Sequence, residues 1–231
     1  MLYLSSLIAL IGGVMIYILG DGPNRRKSSG FNIKSIFRIF RLQKFRSAAF
    51  GYFGHMWELY TFWSFVPLIL QLYALRNNYE INIPVLSFLI IGGGCLSCVA
   101  SGYISKKIGS TRTAFFSLSV SCICCFLSPF MFGVSPTFFI SFLIIWGLAV
   151  IADSPQFSTL VTKTSIPELR GTALTLVTSI GFAITVISLV IMDWVFHSNA
   201  FGNTTAFIIL GLGPLIGLFS MMPLFHQHPK I

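Results

Sequence analysis

Two ionisable side chains, His55 and Glu58, lie among aromatic residues in the stretch GYFGHMWELYTFW, residues 51–63. Residues three apart share one side of a helix, so both side chains and Thr61 fall on one polar stripe. An imidazole titrates near neutral pH and can share a proton with a neighbouring carboxyl group. The types and spacing of these residues therefore predict reversible proton binding, with Glu58 at the centre of the stripe.

A second embedded acid, Asp153, occurs in the stretch IADSPQFSTL. Pro155 has no backbone N–H, so it loosens a helix and frees backbone carbonyl groups there. Two roles are open for Asp153. It can contact a bound small molecule together with Gln156, or it can form an ion pair with a basic residue of a neighbouring loop.

The composition predicts the elements that position these residues. Hydrophobic residues make up 55% of the 231-residue chain and charged residues only 9%, which leaves too little polar surface to cover a globule in water. A membrane span needs roughly 20 apolar residues. Breaking the chain at its charged or turn-forming patches predicts an all-α, polytopic transmembrane bundle with seven spans, at residues 1–19, 48–75, 84–105, 113–133, 137–161, 171–195 and 204–225.

The predicted spans place the acids at different depths. At a rise of 1.5 Å per residue, His55 and Glu58 lie roughly 10 to 15 Å inside a hydrocarbon core about 30 Å thick. A charge facing lipid at that depth costs at least about 2.5 kcal/mol, so we expect the stripe to face the bundle interior or a water-filled cavity. The alternative is that Glu58 is a neutral, hydrogen-bonded packing residue. Asp153 comes late in its span, in the predicted cytoplasmic third.

Basic residues are distributed asymmetrically about these spans. Of the 15 Lys and Arg residues, all but Arg76 fall in alternate connections or in the C-terminal tail. The positive-inside rule makes that side cytoplasmic, so we expect a multi-pass protein of the plasma or inner membrane with an external N-terminus and a cytoplasmic C-terminus. The net charge of +9 is then a signal of topology, and no nucleic-acid partner is expected.

The one long connection, residues 20–47, begins as a Gly, Pro and Ser linker. Its second part interleaves Phe and Ile with Lys and Arg, as in an amphipathic helix that lies on anionic membrane lipid. The alternative is a basic tether that only fixes the topology.

Three stretches together resemble the C-terminal half of a major facilitator superfamily transporter: FGHMWELYTFW, SGYISKKIGSTR and ADSPQFSTLVTKTSIPELRGTALTL. The resemblance implies an order of parts in which residues 1–19 correspond to the sixth span, 20–47 to the cytoplasmic connection between halves, and 48–231 to the C-terminal six-helix half. An N-terminal half is then expected from another chain, from a longer gene product or from self-association.

The connection after the third predicted span resembles the loop signature G-x-x-x-D-R-x-G-R-R of that family. Gly102, Lys107, Gly109 and Arg112 fit it approximately, but Lys106 stands where an acid is usual, which puts a charge relay within the loop in doubt. PELRGTA similarly resembles the turn before the eleventh span. The resemblance implies a cytoplasmic gate, in which Asp153 pairs with Arg112 or Arg170 and Lys107 belongs to the same basic surface.

These features predict transport of a small-molecule solute by alternating access, in a proton-coupled secondary transporter or symport permease. Glu58, His55 and Thr61 are the predicted proton-coupling or substrate residues. Trp57, Tyr60 and Gln156 are possible substrate contacts, with packing as the alternative for the two aromatic residues. The alternatives for the whole chain are a truncated, inactive remnant and a seven-helix receptor, although the last predicted span has no lysine for a retinal Schiff base.

Other kinds of site are not recognisable. We find no nucleophile, phosphate-binding loop or catalytic pair, so no enzyme and no cofactor are expected. The five cysteines lie in apolar spans with no nearby His or carboxylate cluster and with neither zinc-ligand nor disulfide spacing, so no metal site is expected. Gly213 and Gly217 have the four-residue spacing that lets helices approach closely.

Overall fold

The computed structural model describes residues 2–18, 38–198 and 204–225. Helices account for almost all of these residues, and no strand occurs in the three ranges, which confirms the predicted all-α fold. The α-helices are α1 (Leu2–Ile18), α2 (Gln43–Asn77), α3 (Ile83–Gly92), α4 (Gly94–Ile108), α5 (Ser110–Met131), α6 (Pro136–Ala152), α7 (Ser154–Thr164), α8 (Arg170–Ser198) and α9 (Leu212–Met221). Short 3₁₀ turns lie at Pro167–Leu169, Ala206–Gly211 and Met222–Leu224.

The chain divides into two compact units, residues 1–30 and 31–231. In the first, α1 is an apolar helix of 17 residues, slightly shorter than the roughly 20 residues that cross a bilayer. The predicted connection at 20–47 lies largely outside the described residues, so its surface helix stays a prediction. Residues 38–41 are helical, and α2 begins at Gln43, earlier than predicted.

Five stretches of the described chain are long and apolar enough to cross a membrane: Ile83–Ile108, Ser110–Met131, Pro136–Thr164, Pro167–Ser198 and Ala206–Leu224. They match the last five predicted spans within a few residues. Helix α2 is also long enough, at 35 residues, but its acid, its histidine and its basic ends make it more polar than these five. A total of seven membrane spans, as predicted, therefore requires that α1 and α2 also cross the membrane. The protein is a multi-pass membrane bundle.

Two of these five spans break where the sequence weakens a helix. Gly93 separates α3 from α4, and Asp153 separates α6 from α7, with Pro155 in the first turn of α7. The 11 residues of α7 follow Asp153, so about 16 Å of helix separates it from the end of the span. Asp153 is thus closer to the end of the span at Thr164 than to the end at Pro136. Its place in the cytoplasmic third of the span stays a prediction.

The two broken spans pack against each other near their breaks. A Cβ atom on Gly94 would overlap the Ile151 side chain, and a Cβ atom on Gly147 would lie 2.7 Å from the Ile90 carbonyl oxygen. The Cys98 thiol also lies 3.8 Å from the Ile151 carbonyl oxygen. Only glycine permits such an approach, so the two spans are in backbone contact close to the point where each is interrupted.

Helix α2 is the core of the second unit and packs closely against α9. A Cβ atom on Gly54 would overlap the Gly213 carbonyl oxygen, and a Cβ atom on Gly213 would lie 2.7 Å from the Gly54 carbonyl oxygen. One turn away, a Cβ atom on Gly217 would lie 3.4 Å from the Gly51 carbonyl oxygen, so the two helices run antiparallel. The predicted close approach at Gly213 and Gly217 is confirmed.

Candidate functional site

Glu58 is fully buried in the second unit. Its carboxylate accepts hydrogen bonds from the Trp146 indole N–H at 2.7 Å, the Ser121 hydroxyl at 2.9 Å and the Cys125 thiol at 3.2 Å. Trp146 and Cys125 donate to Oε1, and Ser121 donates to Oε2. An ionised carboxylate accepts hydrogen bonds and donates none, so these donors match its charged form.

Helices α5 and α6 supply these donors. Ser121 and Cys125 are four residues apart, so both side chains project from the same side of α5 toward α2. Trp146 comes from α6, where its ring packs on Phe62 of α2 with ring centres 4.5 Å apart. This aromatic contact helps to hold the indole N–H against Glu58. The carboxylate is therefore positioned by hydrogen bonds and by the packing of its donors.

His55, one turn before Glu58 on α2, contacts Asp153. Both side chains are fully buried, and Nδ1 of His55 lies 2.9 Å from Oδ1 of Asp153. This is ion-pair distance, but the geometry does not satisfy a directed hydrogen bond. Within the described ranges, Nε2 of His55 and Oδ2 of Asp153 also have no hydrogen-bond partner. The pair is thus held less completely than Glu58.

The contact of His55 with Asp153 and that of Glu58 with Trp146 both join α2 to α6 or to the break directly after it. Moving from His55 to Glu58 along α2, the partner moves back from Asp153 to Trp146 along α6. The two helices are therefore antiparallel, and residues that are about 90 positions apart in sequence meet in space. This arrangement brings Asp153 close to His55 and Glu58, which were predicted to lie in a different span from Asp153.

The predicted gate pairing is not formed in this structure. Asp153 is buried beside His55, whereas Arg112, Arg170 and Lys107 are exposed. Over the part of the chain that the structure describes, none of these three cations lies within ion-pair distance of Asp153. A latch between Asp153 and these loops requires Asp153 to leave the interior, so that pairing stays a prediction for another conformation.

Thr61 contacts α8 rather than the helices that contact His55 and Glu58. Its hydroxyl donates to the Ser188 hydroxyl at 2.9 Å, and Ser188 donates to the Trp57 carbonyl oxygen at 2.6 Å. Six residues correspond to roughly 120° around a helix, so Thr61 points well away from His55. Its contacts join α2 to α8 and do not extend the cluster of His55 and Glu58.

The three possible substrate contacts lie in different places. Trp57 is half-buried, and its indole N–H donates to the Ile209 carbonyl oxygen at 3.1 Å. Tyr60 is half-buried on the same helix. Gln156 is buried, and its amide nitrogen lies 3.5 Å from the Ser101 hydroxyl oxygen. The contacts among described residues do not bring the three together into one binding pocket.

The sequence analysis missed all three donors to Glu58. The cysteines were predicted to have no His or carboxylate cluster near them, and the contact of the Cys125 thiol with Glu58 was not predicted. A signal was available on α5, because Ser117, Ser121 and Cys125 repeat every four residues and mark a polar side of an apolar helix. Trp146 offered no such signal. All five cysteines are free thiols, and no cluster of three or more His, Cys, Asp or Glu in the described segments could hold a metal ion.

Comparison with known proteins identifies the family. The model of the Major Facilitator Superfamily matches residues 1–189. No curated protein matches the chain significantly. The family match covers most of the 231 residues and agrees with a multi-pass helical bundle that encloses polar groups. The chain therefore belongs to the Major Facilitator Superfamily, whose members are membrane solute transporters.

Proposed function

We propose that the chain carries the C-terminal half of a proton-coupled secondary transporter, which moves a small-molecule solute by alternating access. The observation that carries this proposal is the buried contact between His55 and Asp153, which joins the central helix α2 to the break between α6 and α7. A proton-binding pair at a break in a span can couple a change of charge to a change of helix geometry.

The coupling follows from the cost of burying charge. When both ring nitrogens of His55 carry a proton, the imidazolium and ionised Asp153 attract each other and stabilise the closed contact. When one of these protons leaves, a buried carboxylate faces a neutral ring, and an uncompensated buried charge is strongly unfavourable. The deprotonated pair therefore favours an arrangement in which Asp153 reaches water. Proton loading and release would then bias the break between α6 and α7 toward two different conformations.

The other predicted site residues also have roles in the proposed transport cycle. Glu58 is the second proton-binding acid, and Trp57, Tyr60 and Gln156 are the possible solute contacts. The cytoplasmic latch of Asp153 with Arg112 or Arg170 belongs to the state in which Asp153 has left His55. An N-terminal half from another chain, from a longer gene product or from self-association completes the solute pathway.

The test uses vesicles that contain this chain together with an N-terminal half. In the Asp153→Asn variant we expect loss of uphill solute accumulation driven by a pH gradient, while solute exchange at equal pH on both sides continues. The matched control is Asp193→Asn, because Asp193 also lies beside a histidine but is 68% exposed. If Asp153→Asn retains pH-driven accumulation, the pair is not the coupling site. Absence of any transport by the unaltered protein would instead favour the inactive remnant.

The proposed orientation has its own test. Glu80 and Lys107 are exposed near opposite ends of the span that α3 and α4 form. With the native cysteines replaced, a cysteine at position 80 should react with a membrane-impermeant thiol reagent added outside cells, whereas a cysteine at position 107 should react only after permeabilisation. The reverse pattern would overturn the external N-terminus and the alignment with the C-terminal half.

A further inference from the structure

The Ser121 hydroxyl has two alternative hydrogen-bond acceptors. Its oxygen lies 2.9 Å from Oε2 of Glu58 and 3.2 Å from the Leu118 carbonyl oxygen. A hydroxyl has one hydrogen to donate and two lone pairs that accept. At any moment the hydrogen of Ser121 can therefore point to Glu58 or to Leu118, without movement of any heavier atom.

The other two partners of Glu58 are poorer acceptors for an added proton. The Trp146 indole N–H is only a donor, and the Cys125 thiol is a weak donor and only a weak acceptor. Both point at Oε1, so a proton placed on Oε1 would face the hydrogens of both groups. Oε2 has the Ser121 oxygen as its partner. Among the contacts described here, a proton added to Glu58 finds an acceptor on the Oε2 side.

We propose that Ser121 is a hydrogen-bond switch that lets Glu58 gain and lose a proton on Oε2 while the bundle stays in place. In the ionised state the Ser121 hydroxyl donates to Oε2. When a proton arrives from the aqueous side of the opened site, an O–H bond forms on Oε2 and donates to the Ser121 oxygen. The Ser121 hydrogen then turns to the Leu118 carbonyl oxygen, and Ser121 itself neither gains nor loses a proton.

The proposal makes Ser121 a positioning residue and rests on the proposed function only in assuming that Glu58 is protonated during the cycle. The titratable groups around Glu58 are His55 on its own helix, Cys122, Cys124 and Cys125 on α5, and Asp153 at the break after α6. Any spectroscopic signal of protonation must therefore be assigned to Glu58 by substitution before it is interpreted.

The test is infrared difference spectroscopy of the full chain in lipid vesicles between acidic and alkaline pH. The protonated carboxyl group of Glu58 should give a C=O stretching band that disappears in Glu58→Gln and persists in Asp153→Asn. In Ser121→Ala the band should move to higher frequency, because the carboxyl O–H loses its acceptor. Ser121→Thr keeps a hydroxyl and should restore the original frequency.

The matched control is Ser128→Ala, since Ser128 is another buried serine of α5 but donates to the Cys125 carbonyl oxygen at 2.7 Å. The C=O stretching band of Glu58 should be unchanged in Ser128→Ala. If Ser121→Ala does not fold, Ser121→Cys provides the same test with a side chain of similar size and weaker hydrogen bonding. A Glu58 band that is identical in wild type and in the folded Ser121 variant overturns the switch and leaves the proposed function intact. The absence of any Glu58 band overturns the switch and the proton-binding role of Glu58, whereas the coupling role of His55 and Asp153 is tested separately by Asp153→Asn.

Discussion

Glu58 and Asp153 are both fully buried acids. Glu58 lies on α2, and Asp153 contacts His55, one helical turn away on the same helix. Glu58 is surrounded by hydrogen-bond donors from two helices. Asp153 has only the His55 ring at ion-pair distance among the described residues, at a break in its own span. Burial alone therefore does not define the role of an acid in this bundle. The number and geometry of its partners separate an acid that is held in place from one that can move.

The largest effect should come from replacing His55, the one residue at ion-pair distance from Asp153 in the described part of the chain. In His55→Leu, a buried carboxylate loses its counter-charge, and breaking a buried pair in this way costs about 3 to 5 kcal/mol of folding stability. Denaturant unfolding of the chain in detergent micelles measures the loss. The control is His197→Leu, because the His197 side chain is 72% exposed beside Asp193 and its loss should cost less than about 0.5 kcal/mol. Equal losses of stability in His55→Leu and His197→Leu would show that the buried pair of His55 and Asp153 contributes no more than the exposed pair.

A smaller loss of folding stability is expected at Glu58, which has more hydrogen-bond partners than Asp153. Trp146→Phe keeps most of the ring that packs on Phe62 but removes the indole N–H from Glu58. Hydrogen bonds to charged groups contribute about 1.5 to 3 kcal/mol, so unfolding in the same micelles should show a loss in that range. Trp194→Phe, at a side chain that is 65% exposed, is the control.

A double-substitution cycle with Glu58→Gln sharpens this result. If the indole acts through Glu58, the two substitutions should be non-additive by at least about 0.5 kcal/mol. Strict additivity would show that Trp146 stabilises the bundle by packing alone, and the contrast between the two acids would then be weaker than the contacts indicate.

The smallest effect is expected from neutralising Asp153 itself. Asp153→Asn removes the buried charge and leaves a neutral histidine beside an amide, so no uncompensated charge remains. Replacement of a poorly satisfied buried ion is often neutral or stabilising, and we expect a change in unfolding free energy of less than about 1 kcal/mol. A loss of stability as large as that of His55→Leu would mean that Asp153 is held in place by its contacts, as Glu58 is.

Much of this fold could be predicted because its determinants are local. Apolar runs gave the spans, Pro155 marked the second break, and Gly213 and Gly217 marked a close helix contact. The site was harder, because its contacts depend on which helices become neighbours. Trp146 lies 88 positions from Glu58 and sits in an ordinary apolar run, so neither periodicity nor motif indicates its partner. The contact of Asp153 with His55 was not predicted for the same reason, since it depends on the antiparallel alignment of α2 and α6.

The glycine contact between α2 and α9 fixes how these two helices can move. Gly54 and Gly213 meet backbone to backbone, and Gly51 and Gly217 meet one turn away. For α9 to slide along α2 by one turn, side chains such as Trp57 would have to pass over a carbonyl group in a space that does not admit even a Cβ atom. Sliding is therefore blocked, and α2 with α9 should translate and rotate as one rigid body. The height of Glu58 should therefore stay constant with respect to α9.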